Sequence, residues 1–162
     1  MNKSKSIKWD YELYDKQFDG TNAIDTGIIP FEDINKNWQI ELIFKSDSTI
    51  YNLNDSVLAC QKYMSPYTGL TIVFNNTDSY KGFYVECEYP VQLSYYLGET
   101  IEKTKVTITF NNNKFTINST PFDYTINQSF DIHLILGANQ QYNGGFYRYW
   151  KGYIYSFKFR WL

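Results

Sequence analysis

Histidine is almost absent from this sequence: its 162 residues contain one, His133, and only two cysteines, Cys60 and Cys87. A single imidazole leaves few routes to nucleophilic or acid–base catalysis, and neither a G-x-S-x-G elbow nor a phosphate-cradling glycine loop occurs. Two cysteines cannot make a disulfide framework, and a zinc site wants four ligands, so the pair reads as two buried, reduced thiols on strands, with a single bridge between them as the alternative. Alanine occurs only at Ala23, Ala59 and Ala138, whereas a helical domain of this size would use the strongest helix former far more. Arginine occurs only at Arg148 and Arg160, and the formal net charge is −2. Without a basic stripe there is nothing to neutralise a phosphate backbone, so no nucleic-acid partner is expected. No apolar run approaches the ~20 residues of a membrane-spanning helix, so no membrane partner is expected either. The start, MNKSKSIKWDYELYD, lacks the apolar stretch of a secretory leader. The expected location is therefore the cytoplasm, or a virus particle released by lysis.

Aromatic residues stand where these are missing. They make up 20% of the chain, with 16 Tyr and 12 Phe, and they favour strands. Period-two alternation recurs. Trp38, Ile40, Leu42 and Phe44 alternate with Gln39, Glu41, Ile43 and Lys45; Val106, Ile108 and Phe110 alternate with Lys105, Thr107 and Thr109. Asn111, Asn112 and Asn113 then suit a hairpin into Phe115 and Ile117, because Asn tolerates left-handed backbone angles. Leu70, Ile72 and Phe74 form another set, closed by Asn75 and Asn76. Ile132, Leu134 and Leu136 form a further one, which puts His133 on the opposite face. Further strands are expected at Ile7 to Leu13, Val57 to Cys60, Phe83 to Tyr89 and Gly152 to Trp161. Phe31 to Lys36, after Pro30, is allowed one helical turn at most. There is no linker and no repeat, so residues 1–162 read as a single all-β domain, an antiparallel sandwich, with its first and last strands adjacent.

Two segments carry a resemblance. Phe18-Asp19-Gly20-Thr21-Asn22-Ala23-Ile24-Asp25-Thr26-Gly27 resembles the opening motif of concanavalin A-like, laminin-G-type jelly rolls. Trp150-Lys151-Gly152-Tyr153-Ile154-Tyr155-Ser156-Phe157-Lys158-Phe159 looks like their closing strand, with Trp150 and Phe159 replacing its usual Phe and Ile. Each motif also has a physical reading. Gly20 permits turn angles closed to other residues, while Asp19 and Asn22 satisfy the turn's backbone groups. Gly152 permits close approach of a neighbouring strand. Tyr155, Phe157 and Phe159 would share one strand face with Ile154 on the other, and a bulge near Tyr155 or Ser156 would bring Ile154 onto the core side. The resemblance implies a concanavalin A-like jelly roll of the kind found in bacterial surface proteins and in phage tail or head-fibre proteins. It implies no activity.

Because glucanases share this architecture, paired carboxylates matter: the chemistry needs an acid and a nucleophile or base at fixed separation. Asp10 and Glu12 (with Asp15 nearby) and Glu86 with Glu88 are spaced for one strand face, but neither segment has the E-x-D-x-x-E core. Asp10 and Glu12 read as a solvated edge. His133 has no catalytic partner in sequence and reads as a satisfied surface histidine. The resemblance admits one calcium ion at a loop edge, with Asp47, Asp55 and Asp78 as loop carboxylates, but no spacing fixes a ligand set, and no other cofactor is implied. The stretch Gln140 to Trp150 joins aromatic faces to amides and one of the two arginines around Gly144-Gly145. Tyr142, Asn143, Tyr147 and Arg148 are the candidate ligand-binding residues, with Tyr63, Tyr67, Tyr95 and Tyr96 as further candidates in loops.

The reading that follows is a non-catalytic binding or adhesion domain on a phage particle, recognising a surface glycan through weak sites multiplied by repetition. A second reading is a capsid or tail component that packs on virion proteins or forms a homo-oligomer. A third, a glycoside hydrolase-like enzyme, requires two carboxylates facing one another across a sheet.

Overall fold

The structure is a computed structural model, which describes residues 6–47, 52, 54–62, 68–76, 81–87, 93–126, 128–141 and 143–162. Tyr63, Tyr67, Asp78, Glu88 and Tyr142, singled out above, lie outside them. The strands are β1 (Tyr11–Asp19), β2 (Ile24–Asp25), β3 (Trp38–Ser46), β4 (Ser56–Gln61), β5 (Gly69–Asn76), β6 (Lys81–Cys87), β7 (Leu93–Gly98), β8 (Thr104–Asn111), β9 (Lys114–Ile117), β10 (Thr120–Phe122), β11 (Ile135–Leu136), β12 (Asn139–Gln140), β13 (Phe146–Tyr147) and β14 (Lys151–Trp161). They form two six-stranded antiparallel sheets, ordered β1-β14-β3-β8-β9-β10 and β2-β11-β4-β5-β6-β7, and a separate β12–β13 hairpin. No described residue is helical. The fold is an all-β, concanavalin-like jelly-roll sandwich.

Alternation in the sequence becomes the two faces of each sheet. In β3, Trp38, Ile40, Leu42 and Phe44 are fully buried while Gln39, Glu41 and Ile43 lie on the other side. Val106, Ile108 and Phe110 in β8 stand opposite Leu42, Ile40 and Trp38. The second sheet answers with Leu58, Ile72 and Val85, and with Cys60, Leu70 and Cys87, all within the same core. Both cysteines are reduced and buried, and burial pushes the Cys60 thiol far up. Asn112 and Asn113 turn β8 into β9 with φ of 49° and 60°. Phe31, in a turn rather than a strand, closes one end of the core against Trp38, Phe110, Phe115 and Phe130 at ring-centroid distances of 4.9–6.2 Å.

The terminal motifs do structural work. Phe18 is fully buried. Asn22 Oδ1 accepts the Asp19 N–H at 2.9 Å, Asp19 Oδ1 accepts from Thr21 N–H at 2.8 Å, and Gly20 sits at φ +89°. The Thr21 hydroxyl, donating to Asp19, holds that carboxyl below its ordinary range. β1 pairs with β14, so the first and last strands are neighbours. The β14–β3 register shifts between Ile154 and Ser156, which brings Ile154 to the core beside Phe157 and Phe159.

Several expectations need correction. The bulge turns Tyr155 out beside Tyr153, their rings 4.9 Å apart, so Tyr155 does not share the core face of Phe157 and Phe159. The first strand runs Tyr11–Asp19 rather than Ile7 to Leu13, because the pairing surface of β14 begins opposite Tyr11; Ile7 is left 59% exposed. Ile132 to Leu136 is regular strand only at Ile135–Leu136. Upstream the chain still bonds outside the regular ladder, Thr26 N–H donating to Leu134 O and Leu134 N–H to Ile28 O. Tyr95 and Tyr96 lie in strand β7, not in a loop.

Candidate functional site

Residues paired across an antiparallel ladder point to the same face. On the second sheet, away from the core, one such row runs Asp25, Ile135, Ala59, Thr71, Glu86, Ser94. The next runs Ser56, Val73, Tyr84, Tyr96, and Tyr149 extends it through a bridge to Ser56. Ile135, Ser56, Ala59, Thr71 and Val73 are no more than 5% exposed although they face outward, so the centre of this face is a sheltered floor of small and medium side chains.

Polar and aromatic groups rise from that floor. Asn75 Nδ2 donates to Glu86 Oε1 at 3.0 Å, and burial pushes the Glu86 carboxyl above its ordinary value against the lowering effect of that bond. Tyr84 and Tyr96 pack with centroids 4.9 Å apart, and the Tyr96 hydroxyl donates to the Lys81 carbonyl at 3.1 Å. Gly82 makes this possible: a Cβ there would lie 2.7 Å from the Tyr96 ring. Tyr96 remains 42% exposed, an aromatic face at the β7 edge.

The β12–β13 hairpin stands at the β4 edge. Asn139 pairs with Tyr147 and Gln140 with Phe146. Gln141 N–H donates to Gly145 O at 2.7 Å, and Asn143 Oδ1 accepts the Gly145 N–H at 3.0 Å. Arg148 is left-handed at φ 55°, and its carbonyl accepts the Ser56 N–H at 3.0 Å, which ties the hairpin to β4. The Arg148 guanidinium lies 4.8 Å from the centre of the Tyr147 ring, a cation–π contact, and among the described residues no carboxylate pairs with it. Trp150 is the anchor: fully buried, it donates Nε1–H to Ser46 Oγ at 3.0 Å and packs 5.5 Å from Phe18.

Asn143, Tyr147 and Arg148 therefore share one hairpin, with Asn143 committed to the turn and Arg148 open. Tyr96 lies on the outer face of the second sheet, in one ladder row with Ser56; Tyr95 points to the core side, 6.1 Å from Phe122. Four strand spacings of ~4.8 Å separate the Tyr149 and Tyr96 edges, roughly 19 Å. The Asn75–Glu86 pair and Tyr84 are site features that sequence reasoning missed. Alternation within β5 and β6 was the available signal, since it puts Asn75, Tyr84 and Glu86 on the face opposite Phe74, Phe83 and Val85.

The other candidates fall elsewhere. Asp10 Oδ2 accepts the Trp161 N–H, Glu12 Oε1 accepts the Tyr14 hydroxyl, and Asp15 Oδ1 accepts the Tyr153 hydroxyl. Glu12 is on the first sheet and Glu86 on the second, so these carboxylates do not face one another. His133 Nδ1 sits 2.9 Å from Asp25 Oδ1. Asp47 pairs with Lys151 at 3.5 Å; Asp55 Oδ2 accepts the Asn52 N–H, and burial pushes its carboxyl up. Among the described residues no three His, Cys, Asp or Glu side chains gather as metal ligands.

The fold is similar to that of a sialidase CBM40 domain. The CBM40 of Ruminococcus gnavus IT-sialidase, bound to α2,6-sialyllactose, superposes with a TM-score of 0.60 at 12% identity, over 94% of this chain and 92% of that one. The same CBM40 bound to α2,3-sialyllactose gives 0.58 at 13% identity and the same coverage. The K499G mutant of NanB sialidase from Streptococcus pneumoniae gives 0.66 at 13% identity over 95% of this chain. This chain spans only 26% of the NanB chain. At such identities the likeness to CBM40 and NanB is one of fold. No protein-family model and no curated protein sequence matches.

Proposed function

We propose that this chain is a non-catalytic glycan-binding domain, and that the outer face of the second sheet, from the Tyr147–Arg148 hairpin to Tyr96, is its binding face. The observation that carries the reading is Arg148: an exposed guanidinium, stacked on Tyr147 and unpaired with any described carboxylate, at the rim of a sheltered floor. Planar cations bind carboxylates through paired hydrogen bonds, and aromatic faces stack on the apolar faces of sugar rings. Sialylated glycans supply both a carboxylate and such rings, and the CBM40 of similar fold is seen with sialyllactose. Asn75 and Glu86 add directional partners for sugar hydroxyls. Placement on a phage particle is part of the proposal. It rests on the resemblance of the terminal motifs to laminin-G-type domains, and detection of the chain in purified particles by mass spectrometry tests it.

Titration calorimetry with α2,3- and α2,6-sialyllactose, against lactose as control, tests the ligand. Binding of either sialoside, and a loss on the order of tenfold in Arg148→Ala, is the expected result, equivalent to one charge-assisted hydrogen bond. Equal affinity for lactose, or an Arg148→Ala variant as tight as the parent, would remove this reading. Release of free sialic acid during the titration would overturn the non-catalytic half of it.

A further inference from the structure

The tip of the β12–β13 hairpin holds the one asparagine of the chain that is followed by glycine, Asn143-Gly144. Glycine has no Cβ to screen its backbone nitrogen, so that nitrogen can come close to the preceding side-chain amide. Asn143 and Gly144 are both exposed, and a Cβ built on Gly144, at φ +84°, would meet no atom within 4 Å. Asn143 Oδ1 accepts the Gly145 N–H at 3.0 Å, an Asx turn. The ring closed by that bond contains both the Asn143 amide carbon, Cγ, and the Gly144 nitrogen, and so folds the two toward one another. The same bond polarises the Asn143 carbonyl and stands where negative charge would develop on Oδ1 if Cγ were attacked. Among the described residues nothing holds Nδ2, the group that would leave. One contact opposes the attack. The Gly144 N–H donates to the Gln141 carbonyl at 3.0 Å, and this bond must open before the nitrogen can lose its proton.

We propose that Asn143 is a self-modification site, at which the folded hairpin converts its own amide to a carboxylate. The Gly144 nitrogen attacks Cγ. The N–Cγ bond forms, the Cγ–Nδ2 bond breaks, and Nδ2 leaves as ammonia with the Gly144 proton, which closes a succinimide ring. Water then opens the ring at Cγ to give aspartate, or at the main-chain carbonyl to give isoaspartate, whose backbone runs through the side chain. Water is the only co-reactant, and nothing is oxidised or reduced. From Asn139 to Arg148 the only charged side chain is Arg148, so either product takes the hairpin from one net positive charge to none. The guanidinium then shares its hairpin with a carboxylate that competes against any anionic ligand. Asn118, also in a turn and followed by Ser119, is placed differently. Its Oδ1 accepts the Thr107 N–H and its own N–H donates to the Thr107 carbonyl, so its amide is committed to β8 rather than to its own turn.

The test is covalent, so its outcome does not depend on whether the chain binds a sialoside. The intact chain is held in warm, mildly alkaline buffer, sampled over time, digested and read by mass spectrometry. The peptide that contains Asn143 should gain the mass of an amide turned to an acid, with an isoaspartate form resolved by chromatography. The intact chain should acquire a more acidic species on ion exchange. The rate should rise with pH, because the attacking nitrogen must lose its proton, and Asn118 should stay unconverted over the same period. A parallel sample in urea gives the rate of the unfolded chain, which the folded chain should equal or exceed. Gly144→Ala puts a Cβ beside the nucleophile and should slow conversion on the order of tenfold. Because alanine also strains a left-handed turn, Asn143→Gln is the second variant. It keeps a neutral amide but requires a larger ring, and should stay unconverted. A folded chain that stays unmodified while the urea sample converts would overturn the proposal. So would equal conversion at Asn118, or an undiminished rate in either variant.

Discussion

At the scale of single residues, the sharpest constraints come from close approach. Gly152 in β14 lies against the Trp150 ring and the Lys45 carbonyl, and a Cβ there would fall 2.2 and 2.5 Å from them. Both neighbours are rigid, one a buried ring and one a ladder carbonyl. Gly152→Ala should therefore destabilise the fold by about 3 kcal/mol, the upper range for overpacking, measured by urea unfolding. The sequence motif marked this glycine as special; the identity of what it touches had to come from the fold. Glu86 is the converse case, a polar residue whose environment the sequence left open. Burial raises its carboxyl above the ordinary 4.5, so in the window just above that value the native state holds more protons than the unfolded chain. Stability therefore falls as pH rises through this window and levels off once both states are ionised. Glu86→Gln keeps an oxygen for Asn75 Nδ2 and removes the charge. Its thermal midpoint should equal or exceed the parent's at neutral pH, and should lack this part of the acid-side slope.

At the scale of elements, the strands that announce themselves are those with one dry face. β3 and β8 lie in the middle of a sheet, bury every second side chain, and read plainly as alternation. β1 reads poorly because it is an edge strand, where Asp15, Lys16 and Gln17 are exposed and need no pattern. β7 was hidden differently: Tyr95 and Tyr96 are adjacent and aromatic, one on each face, so hydrophobicity does not alternate there. The bulge in β14 yields a prediction at this scale. Tyr155 is the extra residue in the pairing with β3, so Ile154 and Phe157 both face the core. Deleting Tyr155 leaves that alternation intact and should yield a soluble, folded chain. Deleting Lys158 would instead move Phe159 into an outward position and reverse every later side chain. That variant should be insoluble or unfolded, as judged by soluble yield and circular dichroism.

At the scale of the whole molecule, one continuous aromatic core binds loops to sheets. Phe31 touches four rings, three on β3, β8 and β9 and one on the segment before β11, so Phe31→Ala opens a cavity no single neighbour can fill and should cost about 4 kcal/mol. In urea the midpoint should drop while the slope holds, because the surface exposed on unfolding barely changes. Cys60 and Cys87 lie in the same core and are fully buried. Both should resist a thiol-specific reagent in buffer and react together in denaturant, with no disulfide to reduce first. The sequence by itself determined that the chain forms sheets: the scarcity of alanine, the aromatic excess and the period-two runs act locally, through backbone propensity and the need to bury one face of each strand. It also marked the hairpin around Arg148, because glycine pairs and aromatic clusters are visible at short range. Only the tertiary structure decided which outward-facing side chains share a surface. Asn75, Tyr84, Glu86 and Tyr96 share one face, and Gln39, Thr109, Thr116 and Arg160 share another, through strand order and register. Those are long-range choices set by how the two core faces pack, and no short window of sequence contains them.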